Sequence, residues 1–361
     1  MIRLTQFSPG AGCGCKIASG DLDVILQCEQ NRNLSGFGNL TGFQSTQFPD
    51  LLVGNESRDD AAVYDIGNGN AVISTTDFFT PIVDNARDFG RIAATNAISD
   101  VYAMGGHPLM AIAILGWPLD RLPAELAREV VAGAREVCAD AKIPLAGGHS
   151  INIATPIFGL AVTGMARIEQ VKKNSTARAG CKVFLTKPLG IGLVTTAEKR
   201  GVVNPADAAE AVRLMCTLNV AGSDFAVLNG VRAMTDVTGF GLLGHALEMA
   251  EGSGVSMALE YDKLPRITGV EDYIAQDCMP GGTARNWENC RQKVFIGVSG
   301  ESEEKVKALI CDPQTSGGLL VAVDPDAVDD LHVAARKTGT SLFEVGYCVE
   351  IQNDNTRVKI V

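Results

Sequence analysis

Apolar positions along the chain change their spacing several times, and the changes mark out its elements. Ala71–Thr75 and Pro108–Leu115 are short apolar runs of strand length, and Phe158–Met165, Lys182–Leu185 and Leu319–Val323 repeat that pattern. Between them, apolar residues recur at helical spacing over Asp88–Met104, Pro123–Ala141, Ala206–Asn219 and Leu242–Glu251, which predicts four helices, the first capped by Asp88. Residues 31–47 are polar and rich in Gly, Ser, Thr and Gln, as a loop or linker is. A polar, charged stretch from Arg167 to Ala179 separates two mixed blocks and places a boundary near residues 166–180. The expected organisation is therefore α/β (α+β) with two domains. A flexible glycine-rich arm covers 1–50, one domain 51–168 and a second 169–361. The length of 361 residues agrees, because single cores seldom grow beyond about 250 residues.

Composition narrows the function classes. With 46% hydrophobic but only 6% aromatic residues and 39 glycines, the cores are built from small aliphatic side chains. A net charge of -11 without any long Lys/Arg cluster argues against nucleic acid as a partner. An anionic ligand would need local positive charge from cations, a few placed Lys or Arg, or backbone amides. No apolar run reaches the roughly 18 residues of a membrane span, and no cleavable leader is evident. No membrane association is predicted, and the cytoplasm is the expected compartment. The ten cysteines include no C-x-x-C pair, and the four histidines show no ligand spacing, so neither a zinc ribbon nor a disulfide framework is predicted.

Two of those cysteines stand apart. In Gly10-Ala11-Gly12-Cys13-Gly14-Cys15-Lys16, two thiols and an amine share a glycine-spaced leash. A nearby ammonium favours thiolate, the nucleophilic form, and glycine lets the backbone approach a ligand. The plain alternative is a disordered terminus carrying two incidental cysteines.

Carboxylates form a second set. Asp59 and Asp60 follow Arg58, Asp77 ends the run Ser74-Thr75-Thr76-Asp77, and Asp236 closes another short apolar run. Asn96 and Asp100 lie four apart, on one face of a small, apolar helix. Singly, each reads as a cap or turn carboxylate. Together they are the oxygen ligands that Mg2+ uses when phosphate oxygens complete its shell.

A competing motif is Gly239-Phe240-Gly241-Leu242-Leu243-Gly244, a literal G-x-G-x-x-G between an apolar run and a helical pattern, with Glu260 downstream at the position of a ribose-binding acid. It supports an NAD-dependent oxidoreductase as the alternative reading. Against it, Asp236 and Thr238 crowd the turn, and no long hydrophobic strand leads directly into the first glycine.

Longer segments decide between them. GAGCGCK at 10–16, GNESRDDAAVYD at 54–65, STTDFF at 74–79, GRIAATNAISDVYAMGG at 90–106 and AGGHS at 146–150 occur in order. FLTKPLGIG at 184–192, MTDVTGFGLLGH at 234–245 and CDPQTSGGLL at 311–320 follow. In these the chain closely resembles the selenophosphate synthetase family, also called selenide, water dikinases, over nearly its whole length. The polar stretch at 31–47 is the main departure.

The resemblance implies a two-domain fold like that of aminoimidazole ribonucleotide synthetase, with N-terminal sheets pairing across a homodimer and ATP in a long cleft. It implies conversion of ATP, selenide and water to selenophosphate, AMP and orthophosphate. The product would supply selenocysteine and selenouridine formation, with selenium-delivery and selenophosphate-accepting proteins as further partners. Carried over by position, it implies Cys13 and Lys16 as catalytic residues, and Asp60, Asp100 and Asp236 as metal ligands for Mg2+, with a monovalent cation as a second candidate. ATP contacts would be Lys16, Ser57, Arg58, Asp59, Asp77, Asp100, Gly148, His149 and Ser150. Another ATP-dependent synthetase of the superfamily would keep the aspartates without needing the Cys13–Lys16 pair. A non-enzymatic nucleotide-binding or scaffold protein would bind ATP without hydrolysis, and the Cys-Gly-Cys-Lys arm argues against it.

Overall fold

A computed structural model describes residues 2–8, 10, 12–16, 25, 48–54, 58–351 and 355–361, with only the backbone of residues 13 and 15. The polar stretch 31–47 and Ser57 lie outside the described residues. Two sheets account for the strands. The first holds β1 (Leu51–Val53), β2 (Ala62–Gly67), β3 (Asn70–Phe79), β4 (His107–Trp117), β5 (Leu145–Asn152) and β6 (Ile157–Arg167), in the order β1-β2-β3-β6-β4-β5. Only β4 and β5 pair in parallel. A parallel neighbour requires a crossover, and a helix over Ala124–Asp140 supplies it, leaving β5 at the sheet edge.

The second sheet holds β7 (Lys182–Leu185), β8 (Val231–Asp236), β9 (Ser256–Leu259), β10 (Val294–Ile296), β11 (Leu319–Val323), β12 (Phe343–Val349) and β13 (Val358–Ile360). Its order is β10-β13-β9-β12-β7-β11-β8. The G-x-G-x-x-G segment does join β8 to a helix and then to β9, but β12, β7 and β11 lie between those strands. A dinucleotide fold sets its two strands side by side in parallel, so this geometry overturns the oxidoreductase alternative.

Helix α1 (Ala86–Ala103) joins the two halves. Asn85, rather than Asp88, is its cap: the Asn85 side chain accepts the Asp88 N–H at 3.0 Å. Nearly every side chain of α1 is buried, because the first sheet lies on one side, α2 (Ala124–Asp140) on another, and β8 of the second domain on a third. The small residues make this close packing feasible. A Cβ added at Gly90 would sit 1.8 Å from the Val130 carbonyl oxygen, and one at Gly133 would sit 2.0 Å from that of Arg87. The two helices thus meet backbone to backbone.

The remaining helices clothe the second sheet. They are α3 (Ile191–Arg200), α4 (Pro205–Met215), α5 (Ala221–Ala226), α6 (Gly241–Ser253), α7 (Val270–Ala275), α8 (Gly281–Cys290), α9 (Glu303–Ile310) and α10 (Val328–Thr338). The pattern over Ala206–Asn219 stops early, at Cys216, and no described helix is long and apolar enough to cross a membrane.

One face of the first sheet packs on α1; the other is left open by the described residues. Along β3 the inward positions Ala71, Ile73 and Phe79 are buried, while Phe78 on the opposite face is 48% exposed. Tyr64, Met110, Ile112, Ile151 and Met165 share that open face by register and are likewise exposed.

Candidate active site

The site forms where α1 crosses from the first domain to the second. On α1, Asn96 is fully buried and Asp100 is 8% exposed, one turn apart as the sequence spacing requires. Asp77 lies near the end of β3, Asp60 just before β2, and Asp236 at the end of β8, so both domains contribute carboxylates.

Hydroxyls support them. Thr75 Oγ1 donates to Asp100 Oδ2 at 2.5 Å, Thr235 Oγ1 donates to Asp60 Oδ1 at 2.8 Å, and the Ser99 hydroxyl bonds Asp236. Even so, Asp60 Oδ2 and Asp236 Oδ2 are buried without any hydrogen-bond partner. Burial, with Asp236 and Asp100 nearby, pushes the Asp60 carboxyl well above the usual carboxylate range. Asp100 is raised by burial and then by Asp236 and Asp77, against the lowering effect of Lys16. Burial also raises Asp236, and the Ser99 bond, His245 and Lys16 partly offset it.

Three buried carboxylates that raise one another's proton affinity, with two orphaned oxygens, are a cluster built to face positive charge. A divalent cation fits this donor set. Among the described residues no three such side chains converge tightly enough to hold a metal ion alone. Magnesium draws much of its shell from water and phosphate oxygens, so the carboxylates need not form a complete cage by themselves.

The arm reaches this cluster. Gly12–Cys15 forms a 3-10 turn packed against β3 and α8. Gly12 N donates to the Thr80 carbonyl at 3.2 Å, and Arg285 Nη2 donates to the Gly14 carbonyl at 3.0 Å. Gly12 has φ +49°, and a Cβ there would sit 2.4 Å from Thr315 Oγ1, so this turn accepts only glycine without a shift. Lys16 Nζ then lies 3.4 Å from Asp77 Oδ2. The side chain of Cys13 lies outside what is described.

The other expected residues divide into two groups. Asp59 Oδ1 accepts the Asn174 N–H at 2.7 Å, and the Arg58 carbonyl accepts Asn174 Nδ2 at 3.0 Å, which ties this loop to the start of the second domain. Gly148, His149 and Ser150 sit on the edge strand β5. Asp77 pairs with Leu160, Leu160 with Ala113 and Ala113 with Gly148, so three strand spacings, about 14 Å, separate Asp77 from Gly148. Within one chain the fold does not bring these three residues to the aspartates.

Comparisons with known proteins agree with this architecture. Residues 58–166 match the AIR synthase related protein N-terminal domain and residues 178–359 the AIR synthase related protein C-terminal domain. A selenide, water dikinase from Salmonella typhi is 56% identical over 359 residues, 99% of this chain and 98% of that protein. The chain belongs to the selenide, water dikinase family. A family member from Cronobacter sakazakii is 57% identical over 345 residues, 96% of this chain and 94% of its own length. Among solved structures, a thiamine-monophosphate kinase from Stenotrophomonas maltophilia K279a superposes with a TM-score of 0.63 at 19% identity, over 88% of this chain and 92% of that one. It shares the fold.

Residue type and motif singled out the aspartates and the arm, but no chemical reason in the sequence singled out several groups beside them. Thr75, Ser99 and Thr235 each precede an aspartate by one or two residues inside the family-like segments, and only the fold shows which carboxylate each one supports. Lys187 and Ser316 also lie in such segments, and with Asn219 they are connected to α1 only through the fold.

Proposed function

We propose that this chain uses ATP to convert selenide and water to selenophosphate, releasing AMP and orthophosphate, at the junction of its two domains. The observation that carries the reading is Lys16 held against Asp77 beside the buried carboxylates, in a chain 56% identical to a selenide, water dikinase over 98% of that protein.

Phosphoryl transfer depends mainly on positioning and charge neutralisation. Asp60, Asp100 and Asp236 would hold magnesium, which when bound neutralises triphosphate charge. Asp77 keeps the Lys16 ammonium at the cluster, from which it can follow charge as it develops on the transferred group. Thr75, Ser99 and Thr235 fix the carboxylates so that little rearrangement is needed when the nucleotide arrives.

Cys13, three residues from Lys16, holds or orients selenium near the phosphorus under attack. Cys13→Ser is therefore expected to abolish selenide-dependent turnover while ATP binds with near-normal affinity. A fully active Ser variant would remove the thiol from the account.

The working form is a homodimer in which the open faces of the N-terminal sheets meet. Six exposed apolar side chains on one face that the described residues leave open support it, as does the placement of Gly148–Ser150 on an edge strand too far from Asp77 to complete its own site. Ile112→Asp should yield a monomer by light scattering and lower turnover about tenfold or more. A fully active monomer would contradict this. The seven described cysteines whose thiols are assigned are all free, which suits a reducing cytoplasm.

Nucleotide chromatography of anaerobic reactions tests the overall reading. AMP formed only when selenide is present supports it; ADP as the sole product would redirect the assignment to another ATP-dependent chemistry.

A further inference from the structure

The polar turn Pro313–Gly318 is almost wholly buried: Gln314, Thr315 and Ser316 are each 2% exposed or less. Buried loops are rare because each backbone polar group needs a partner. Here the partners come from both domains. Asn96 Oδ1 on α1 accepts the Ser316 N–H at 2.8 Å. Lys187, only 6% exposed, donates its Nζ to the carbonyls of Ser316 at 2.8 Å and Thr217 at 2.6 Å. Asn219 Nδ2 donates to the Gly317 carbonyl at 2.9 Å and to Ser99 Oγ at 2.8 Å. Ser316 has φ +51°, a conformation that costs free energy in a non-glycine residue and persists only where surrounding bonds fix it.

These bonds point at the site. Because the Asn96 oxygen is engaged by Ser316, its amide nitrogen must face the other way, and it donates to Asp77 Oδ2 at 2.5 Å. That is the oxygen Lys16 Nζ approaches. An unbroken series of contacts therefore runs from Lys187 through Ser316, Asn96 and Asp77 to Lys16. Burying an ammonium stem is costly, and burial lowers the Lys187 pKa to about 7 although Asp236 opposes the shift. An apolar side chain of similar length would fill the space at less cost but would leave two buried carbonyls unpaired.

We propose that Lys187 is a positioning residue for the reaction: by holding the Ser316 carbonyl it sets the Ser316 N–H on Asn96, and through Asn96 it orients Asp77 and places Lys16. This rests on Lys16 acting at the phosphates. A purely structural clamp would lower the melting temperature and leave the turnover of folded protein alone.

The test is Lys187→Met in the full-length enzyme, with the folded fraction measured alongside. The expected result is a fall in kcat of about tenfold or more with KM for ATP within about twofold of wild type. Asn96→Ala should do the same, and the double variant should fall no further than the weaker single variant. A folded Lys187→Met enzyme with wild-type kcat would overturn the proposal, and so would a double-variant loss equal to the product of the two single losses. Should the Met variant not fold, Lys187→Gln, which keeps an amide NH2 group but loses the charge and part of the reach, enters the same cycle under the same criteria. Lys16→Met, run in parallel, separates the two ideas: unchanged turnover there would defeat the assignment of Lys16 itself, whereas its loss beside a fully active Lys187→Met would defeat only the positioning role.

Discussion

Replacing Lys16 with Met should lower kcat for selenophosphate formation by about a thousandfold, with a much smaller change in ATP affinity. The asymmetry follows from where Lys16 sits. Its ammonium ends a short arm at 3.4 Å from Asp77 and is about one-third exposed, so it contributes little to the packing of the fold. Its interaction with a nucleotide in the ground state replaces an ion pair it already makes, which limits its net contribution to binding. As charge develops on the transferred group, a mobile point charge at the cluster gains in importance, and the loss appears in kcat. Steady-state kinetics with a separate equilibrium measurement of ATP binding checks this. Equal losses in kcat/KM and in ATP affinity, at unchanged kcat, would make Lys16 a binding residue only.

Asp236→Asn should abolish magnesium-dependent turnover and, without metal, make the protein more stable. Asp236 is 2% exposed, one of its oxygens has no partner, and it raises the carboxyls of Asp60 and Asp100. Removing one of three buried carboxyls that resist ionising together relieves unfavourable interaction on the order of 1–2 kcal/mol, a rise of about 1–3 °C in melting temperature. The amide also brings N–H donors among carboxylate oxygens that lack them. Added magnesium should stabilise the wild-type protein and leave the variant nearly unchanged, since only a state that binds the ion gains from it. Thermal melts with and without magnesium provide the check. A variant less stable than wild type in the absence of metal would mean that Asp236 is structural.

Much of this fold was legible because apolar spacing is a strong signal. Lys182–Leu185 and Leu319–Val323 are strands at those same limits, and α1 carries Asn96 and Asp100 on one buried face, as their spacing required. The exceptions share a cause: local preference yielded to tertiary contact. Strand β5, Leu145–Asn152, has two central glycines and no strand-like alternation, and its parallel pairing with β4 defines it. Strand β3 continues past Thr75 to Phe79 because Thr75 and Asp77 face the site and their hydrogen bonds replace apolar burial.

The cap of α1 moved to Asn85 because its side chain reaches the Asp88 N–H, while Asp88 itself pairs with Arg91. The glycine motif at 239–244 had the right grammar but the wrong sheet, since strand order is not written in a local segment. Residue types named the aspartates, and the long family motifs gave them roles. Their convergence, and the Lys187 connection behind them, required contacts between segments more than a hundred residues apart, such as Asn96 with Ser316.

The most direct test of the account is phosphorus NMR of the anaerobic enzyme with ATP, magnesium and selenide, against a control without selenide. AMP, orthophosphate and a new selenium-bonded phosphorus resonance should appear together and only with selenide. ATP consumed to ADP with no such resonance, or no turnover in demonstrably folded protein, would contradict it.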